Sequence, residues 1–427
     1  MKEKSYLSPL KFISMKPLIF SLLVFVALAF GLTGCGDAAG KLSDGNWLGI
    51  IVFDSVDQVP FNFEVSHDST GKPVITVINA DERIEVTEIV EEGDTLEWRM
   101  PVFQSVIRVG YRSKGLMGWY HPKGIGQGAP YPFSAVNDQP LRYPHLTQKP
   151  GADLTGRWQI TENPGQADQL TLIGEFQQEG SRLVGTILSP FGDYRYLEGV
   201  VSDRNVVFSG FDGSHAVSFS ARIASDGSLA DGRFAGSAKW KSKWVAVRND
   251  TIALPPQEAM VRLKPDAGAP DFVLNDLEGN PVSLADERFR GKVVVVQASG
   301  TWCPNCMDEA RLFGELYKEY GPRGLEVVSL FFESDNFEES AARIRRFSSH
   351  TDAGFTLLWA GKRGSHRRDS IFHMVEGRMA FPTTLYIDRK GTPRFVETGF
   401  SGPGTGKHYQ KTVEETRQKL ELLLNGE

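Results

Sequence analysis

A chain of 427 residues with 41% hydrophobic and 23% charged side chains is ordinary globular material, sufficient at roughly 100 to 200 residues per domain for two or three domains. Its formal net charge of -6, from 47 basic and 53 acidic side chains, lacks the basic excess of a nucleic-acid binder, so nucleic acid is not an expected partner. Of its three cysteines one stands near the N-terminus and two form a close pair, which leaves no structural disulfide framework.

The N-terminus carries Lys2, Lys4, Lys11 and Lys16, then an apolar run from Leu18 to Phe30, then Leu32-Thr33-Gly34-Cys35. Charge, apolar stretch and small residues in that order predict a secretory signal over 1–34. The run falls short of the roughly 20 apolar residues of a membrane span. Leu-Thr-Gly-Cys resembles the lipobox of bacterial lipoproteins, which implies cleavage before Cys35, acylation of that residue and membrane attachment through the lipid. Two or more acyl chains anchor stably where one does not. The rest of the chain is then expected outside the cytoplasm. Gly36 separates Cys35 from Asp37, so no aspartate directly after the cysteine selects the inner or the outer membrane.

From Trp47 to about Arg248 short alternating stretches such as Val74–Ile78 and Val206–Ser209 are separated by Gly, Asp and Asn turns. That pattern predicts an all-β region of one or two small sandwich or barrel modules, placed at 35–150 and 151–250. An echo between Gly45-Asn46-Trp47-Leu48-Gly49 and Thr155-Gly156-Arg157-Trp158 favours two. Trp98, Trp119, Tyr120, Trp240 and Trp244 are read first as packing residues rather than as the lining of a ligand cavity. His67, His121, His145 and His215 lack partners at ligand spacing, so no metal site is assigned. Pro255-Pro256 and Pro265 mark 251–267 as a linker.

Beyond the linker strand and helix alternate: Val293–Ala298 is a buried-strand run, Glu309–Tyr320 has helical spacing, and Leu325–Phe331 is a further strand, so 268–427 is expected to be an α/β domain. Cys303-Pro304-Asn305-Cys306 falls where strand gives way to helix. Unpaired backbone N–H groups and the positive end of the helix dipole favour thiolate there. Pro304 suits the first helical turn, and Cys306 is one turn further in, placed to close a disulfide and expel a bound partner.

Several motifs of this region resemble the TlpA/ResA group of thioredoxin-like thiol-disulfide oxidoreductases, within the wider AhpC/TSA and redoxin superfamily. They are Ala269-Pro270-Asp271-Phe272, Gly291-Lys292-Val293-Val294, Gly300-Thr301-Trp302-Cys303-Pro304-Asn305-Cys306 and Phe381-Pro382-Thr383-Thr384. The resemblance implies Cys303 as nucleophile and Cys306 as resolving cysteine. It also implies a cis bond before Pro382 and a substrate groove formed by Trp302, Phe381, Pro382 and Thr383. Glu309 matches an acidic residue proposed to move protons near the dithiol, a role that burial would favour and that a solvated first-turn glutamate would not fill. Gln297 stands where thioredoxin has a buried aspartate, and Arg311 where a helix proline is common.

Gly300 and Val296 occupy positions where a peroxiredoxin needs threonine or serine and proline, and Met307 stands where a c-type haem site needs histidine. The expectation is a membrane-anchored extracytoplasmic oxidoreductase that needs no cofactor beyond the Cys303–Cys306 pair. Its partners would be exported protein thiols or disulfides and a membrane or periplasmic electron donor. A ligand-binding or scaffold lipoprotein and a thiol-based metal carrier are the alternative readings. The basic segment Lys362–Arg368 is either a solvated loop or a docking site for an acidic partner.

Overall fold

Buried and exposed side chains alternate along strands such as Pro73–Asn79, where Ile75, Val77 and Asn79 point inward, as a sheet with one face on a core requires. The structure, a computed structural model, describes residues 42–265 and 268–426; the expected signal peptide and Cys35 lie outside them.

Nine strands make the first module: β1 (Gly45–Val52), β2 (Gln58–His67), β3 (Pro73–Asn79), β4 (Glu82–Val86), β5 (Ile89–Glu92), β6 (Thr95–Arg99), β7 (Val106–Arg112), β8 (Gly115–His121) and β9 (Tyr131–Asn137). Their order is β4-β3-β2-β1-β9-β8-β7-β6-β5, a barrel-like meander in which β1 pairs with β9 and no ladder joins β4 to β5. Trp47, Phe61, Phe63, Trp98 and Phe133 fill it.

The second module comprises β10 (Gly156–Glu162), β11 (Leu170–Glu179), β12 (Arg182–Ser189), β13 (Gly192–Asp193), β14 (Leu197–Ser202), β15 (Asn205–Phe211), β16 (Ala216–Ile223), β17 (Leu229–Ala235) and β18 (Lys241–Arg248). Here β18 pairs with β10 and β11 with β12, so eight strands close a ring while β13 hangs from β12 as a hairpin. Closure removes the exposed edges of the sheet. The echoed motifs occupy matching places, at the first strand of each module. Trp47 donates its indole N–H to Ser43 O (3.0 Å) and Trp158 donates to Leu154 O (2.9 Å).

The modules are joined by buried polar contacts. The Asn79 side chain donates to Phe211 O (2.8 Å) and accepts from Phe211 N (3.1 Å). Buried Arg142 donates to Ile78 O (2.6 Å) in the first module and Ser209 O (2.9 Å) in the second.

The third region contains α1 (Gln257–Met260), β19 (Val261–Leu263), β20 (Val273–Asn275), β21 (Pro281–Ser283), β22 (Val293–Ser299), α2 (Pro304–Tyr320), β23 (Leu325–Glu333), α3 (Phe337–Thr351), β24 (Thr356–Lys362), α4 (Arg367–Ile371), β25 (Val375–Gly377), β26 (Thr383–Ile387), β27 (Pro393–Thr398) and α5 (Lys407–Leu424). Its main sheet has the order β21-β20-β24-β23-β22-β26-β27, with β22 parallel to β23 and antiparallel to β26. Every residue of β22 is buried, as expected of a strand covered on both faces. Residues 251–267 depart from the linker expectation: they include α1 and β19, which pairs antiparallel with β25, and Val261 is buried among Phe272, Ile371 and Met374. The prolines mark the bends around this segment rather than a free tether.

Candidate active site

The chain leaves β22 through Gly300-Thr301-Trp302 and starts α2 with Cys303 at the N-cap, extended at φ -108° and ψ 109°. Pro304 follows at the first helical position, where its missing N–H is no loss. Cys303 Sγ accepts from Cys306 N at 3.2 Å, so the sulfur itself satisfies an orphan donor of the helix end. Cys303 and Cys306 form a disulfide with Cα atoms 5.2 Å apart, and both are buried. Cys303 Sγ lies 3.6 Å from Phe381 O, and the Phe381–Pro382 peptide bond is cis.

Trp302 donates its indole N–H to Phe332 O (3.0 Å) and meets Phe381 edge to face at 5.1 Å. Arg363 lies 3.3 Å over the Trp302 ring and Arg368 4.9 Å over that of Phe381, so the basic segment 362–368 forms the rim of the site. Thr383 departs from its expected place in the substrate groove. Its side chain is buried, and its hydroxyl donates to Ala380 O (2.8 Å) beside Thr398 Oγ1 (3.0 Å), so the hydroxyl braces the loop from within rather than facing the groove.

Glu309 is buried one turn beyond Cys306 and accepts from Thr384 Oγ1 at 2.5 Å. Burial pushes its carboxyl up to about 8, against the hydrogen bond from Thr384, and the charge of Glu397 adds to the rise. Gln297 is buried on β22 and accepts from Ser329 Oγ. The four histidines set aside in the sequence stay apart from the dithiol's hydrogen bonds, and among the described residues no group of three His, Cys, Asp or Glu stands together as a metal cage.

Several contributors escaped the sequence reading. Glu333, at the end of β23, accepts from Thr301 N (2.6 Å) and Thr301 Oγ1 (3.0 Å) and so fixes the turn before the cysteines; burial raises its carboxyl to about 7. Ser214 of the second barrel donates to Trp302 O (2.7 Å). Asp193 of the β12–β13 hairpin accepts from Asn305 Nδ2 (3.2 Å) and Gly402 N (2.7 Å). Arg195 pairs with Asp308 on α2 and with Glu82 of the first module. Burial opposes its charge, but Asp308, Glu82 and Asp212 together hold it protonated.

Two glycines let the hairpin come this close. A Cβ on Gly192, at φ +137°, would stand 2.5 Å from Asn305 Oδ1, and one on Gly399, at φ +73°, would stand 2.7 Å from the Phe191 carbonyl carbon. Nothing local distinguishes Phe191-Gly192-Asp193 from any polar hairpin turn, and only its position against α2 reveals its part.

Residues 265–396 match the AhpC/TSA family. Over 155 residues the chain is 31% identical to thiol-disulfide oxidoreductase ResA of Geobacillus thermodenitrificans, covering 36% of this chain and 75% of that protein. It is 32% identical over 154 residues to the thioredoxin-like protein YneN of Bacillus subtilis, covering 36% of this chain and 77% of the relative. A solved thiol:disulfide interchange protein of the thioredoxin family from Chlorobium tepidum aligns with 38% of this chain and 97% of its own, at 18% identity and a TM-score of 0.29.

Proposed function

The chain belongs to the TlpA/ResA-like group of thioredoxin-fold thiol-disulfide oxidoreductases, and from that membership we propose that it reduces disulfides of exported proteins through Cys303 and Cys306 while held at a membrane by a lipid on Cys35. One observation carries the reading. Cys303 caps α2 with its sulfur on the Cys306 N–H and stands 3.6 Å from the carbonyl that precedes cis Pro382.

In the reduced enzyme the backbone N–H groups and dipole at the start of α2 favour ionisation of Cys303 and hold it as thiolate. That thiolate attacks one sulfur of a substrate disulfide; a mixed disulfide forms and the other substrate sulfur leaves as thiolate. Cys306, deprotonated, then attacks Cys303 Sγ, which forms the enzyme disulfide and releases the second substrate thiolate. Two electrons pass to the substrate, and the two leaving thiolates take up two protons. Glu309, in its ionised form, is the buried group we assign to take the proton from Cys306; with its carboxyl raised to about 8, that form is the minor one at neutral pH and grows as pH rises. A membrane or periplasmic dithiol donor then returns the two electrons. The substrate chain runs alongside Phe381 as an added strand, under the rim of Arg363 and Arg368. Location outside the cytoplasm rests on Leu32-Thr33-Gly34-Cys35 and the apolar run before it.

The test is capture by the Cys306→Ser chain. It should accumulate a mixed disulfide with an exported protein, and Cys303→Ser should neither turn over nor trap. Full turnover by either single variant would sink the mechanism. Direction follows from the reduction potential of the pair: a value below about −200 mV supports a reductase, and one near −120 mV identifies an oxidant instead.

A further inference from the structure

Asn305 is the side chain between the two cysteines that can hydrogen-bond, and its amide is held from another domain. Its Nδ2 donates to Asp193 Oδ2 at 3.2 Å. The same oxygen accepts from Gly402 N (2.7 Å), after β27, and Asp193 Oδ1 accepts from Arg195 N (2.6 Å), within the barrel. One carboxylate thus ties together the barrel hairpin, the segment after the last strand of the redox domain and the Cys-Pro-Asn-Cys turn.

The neighbouring contacts keep this arrangement in register. Ser214 holds the carbonyl of Trp302, immediately before Cys303. Arg195 holds Asp308, two residues after Cys306. Arg378, close to the cis-proline loop, stacks on Phe191 at 4.4 Å. Trp302, Asn305 and Asp308 are each gripped by the same barrel, so its reach covers the whole turn that carries the dithiol.

We propose that Asp193 is a positioning residue for the Cys303–Cys306 pair, acting through Asn305, and that the second barrel is therefore a working part of the redox centre. The proposal rests on the oxidoreductase reading. Orientation and charge both matter. The amide of Asn305 fixes the turn whose backbone presents Cys306 N to Cys303 Sγ. With its Nδ2 held by that carboxylate, the Asn305 amide is kept from donating to a thiolate of the pair, which disfavours the thiolate and so the reduced form. Burial, with the nearby charge of Asp308, raises the Asp193 carboxyl to about 6, which leaves most of it ionised at pH 7.

The experiment is a redox titration of the full chain in glutathione buffers at pH 7, on the wild type, Asp193→Ala, Asn305→Ala and the double variant. A reversible wild-type titration tests the underlying reading; its failure would remove that reading, whereas the variants test only the positioning role. Asp193→Ala should move the equilibrium toward the dithiol by threefold to tenfold, and tenfold corresponds to about 30 mV. In the Asn305→Ala background the same substitution should have an effect at least threefold smaller. An Asp193→Ala shift equal in both backgrounds, or none in a folded chain, would overturn the proposal. If Asp193→Ala does not fold, Asp193→Asn keeps the side-chain shape and must shift the equilibrium in the same direction, again less so beside Asn305→Ala.

Discussion

Arg195 of the second barrel and Asp308 of the active-site helix meet as a buried ion pair across the boundary between the β region and the redox domain. Glu82 of the first module completes the group, so one guanidinium touches all three parts of the molecule.

Removing that guanidinium takes from buried Asp308 its nearest cation, leaving only Arg311 at 3.6 Å, and breaking a buried ion pair costs up to about 3–5 kcal/mol. Arg195→Met should therefore lower the denaturant midpoint strongly, while Arg195→Met with Asp308→Leu recovers part of the loss. Chemical unfolding followed by tryptophan fluorescence measures both, and a single variant as stable as wild type would assign the pair no structural weight.

Glu309 imposes a pH dependence whose sign follows from its raised pKa. The ordinary value is 4.5 and the folded value about 8, so between them the native state holds a proton that the unfolded state has lost. Stability contributed at this position then falls as pH rises through that window, by about 1.4 kcal/mol per pH unit. Glu309→Gln should remove the slope, and its advantage over wild type should grow from pH 5 to pH 8. The alkaline limb of the turnover profile should move in the same variant.

Glu333→Ala strands the Thr301 N–H beside the dithiol, at a cost of about 1–3 kcal/mol. Glu333→Gln keeps an acceptor for that N–H and should be milder. Thermal melts at pH 7.5 should place Ala below both wild type and Gln, and turnover should fall furthest in Ala because Thr301 sets the approach to Cys303.

Arg142 ties the barrels together through Ile78 O and Ser209 O. Arg142→Met leaves those buried carbonyls without their donor, and the barrels should unfold less cooperatively. Calorimetry is expected to show a broadened or split transition where the wild type shows one.

The redox half was legible because its signals are local. β22 is an unbroken apolar run, and the cysteine pair sits at its junction with a helix. The proline before β26 adds a third mark. The β half was legible only as strands, because side chains alternate with period two in sandwich and barrel alike. Which strand closes on which, as β18 does on β10, is a long-range fact. The linker was misread because a three-residue strand such as β19 is too short to carry a period. Asp193 and Arg195 went unseen for a related reason: their partners Asn305 and Asp308 lie 112 and 113 residues away. Thr383 went wrong differently, since a motif gives a residue's place in the chain but not the direction its hydroxyl takes.

Gly399 marks how closely the second barrel is seated on the redox domain. The Phe191 carbonyl carbon lies where its Cβ would intrude, so a chain with a side chain at that position has no room for the hairpin against its dithiol. A single methyl group at this position would have to displace either the hairpin or the segment after β27, so the seating of the barrel on the redox domain depends on an atom that is not there.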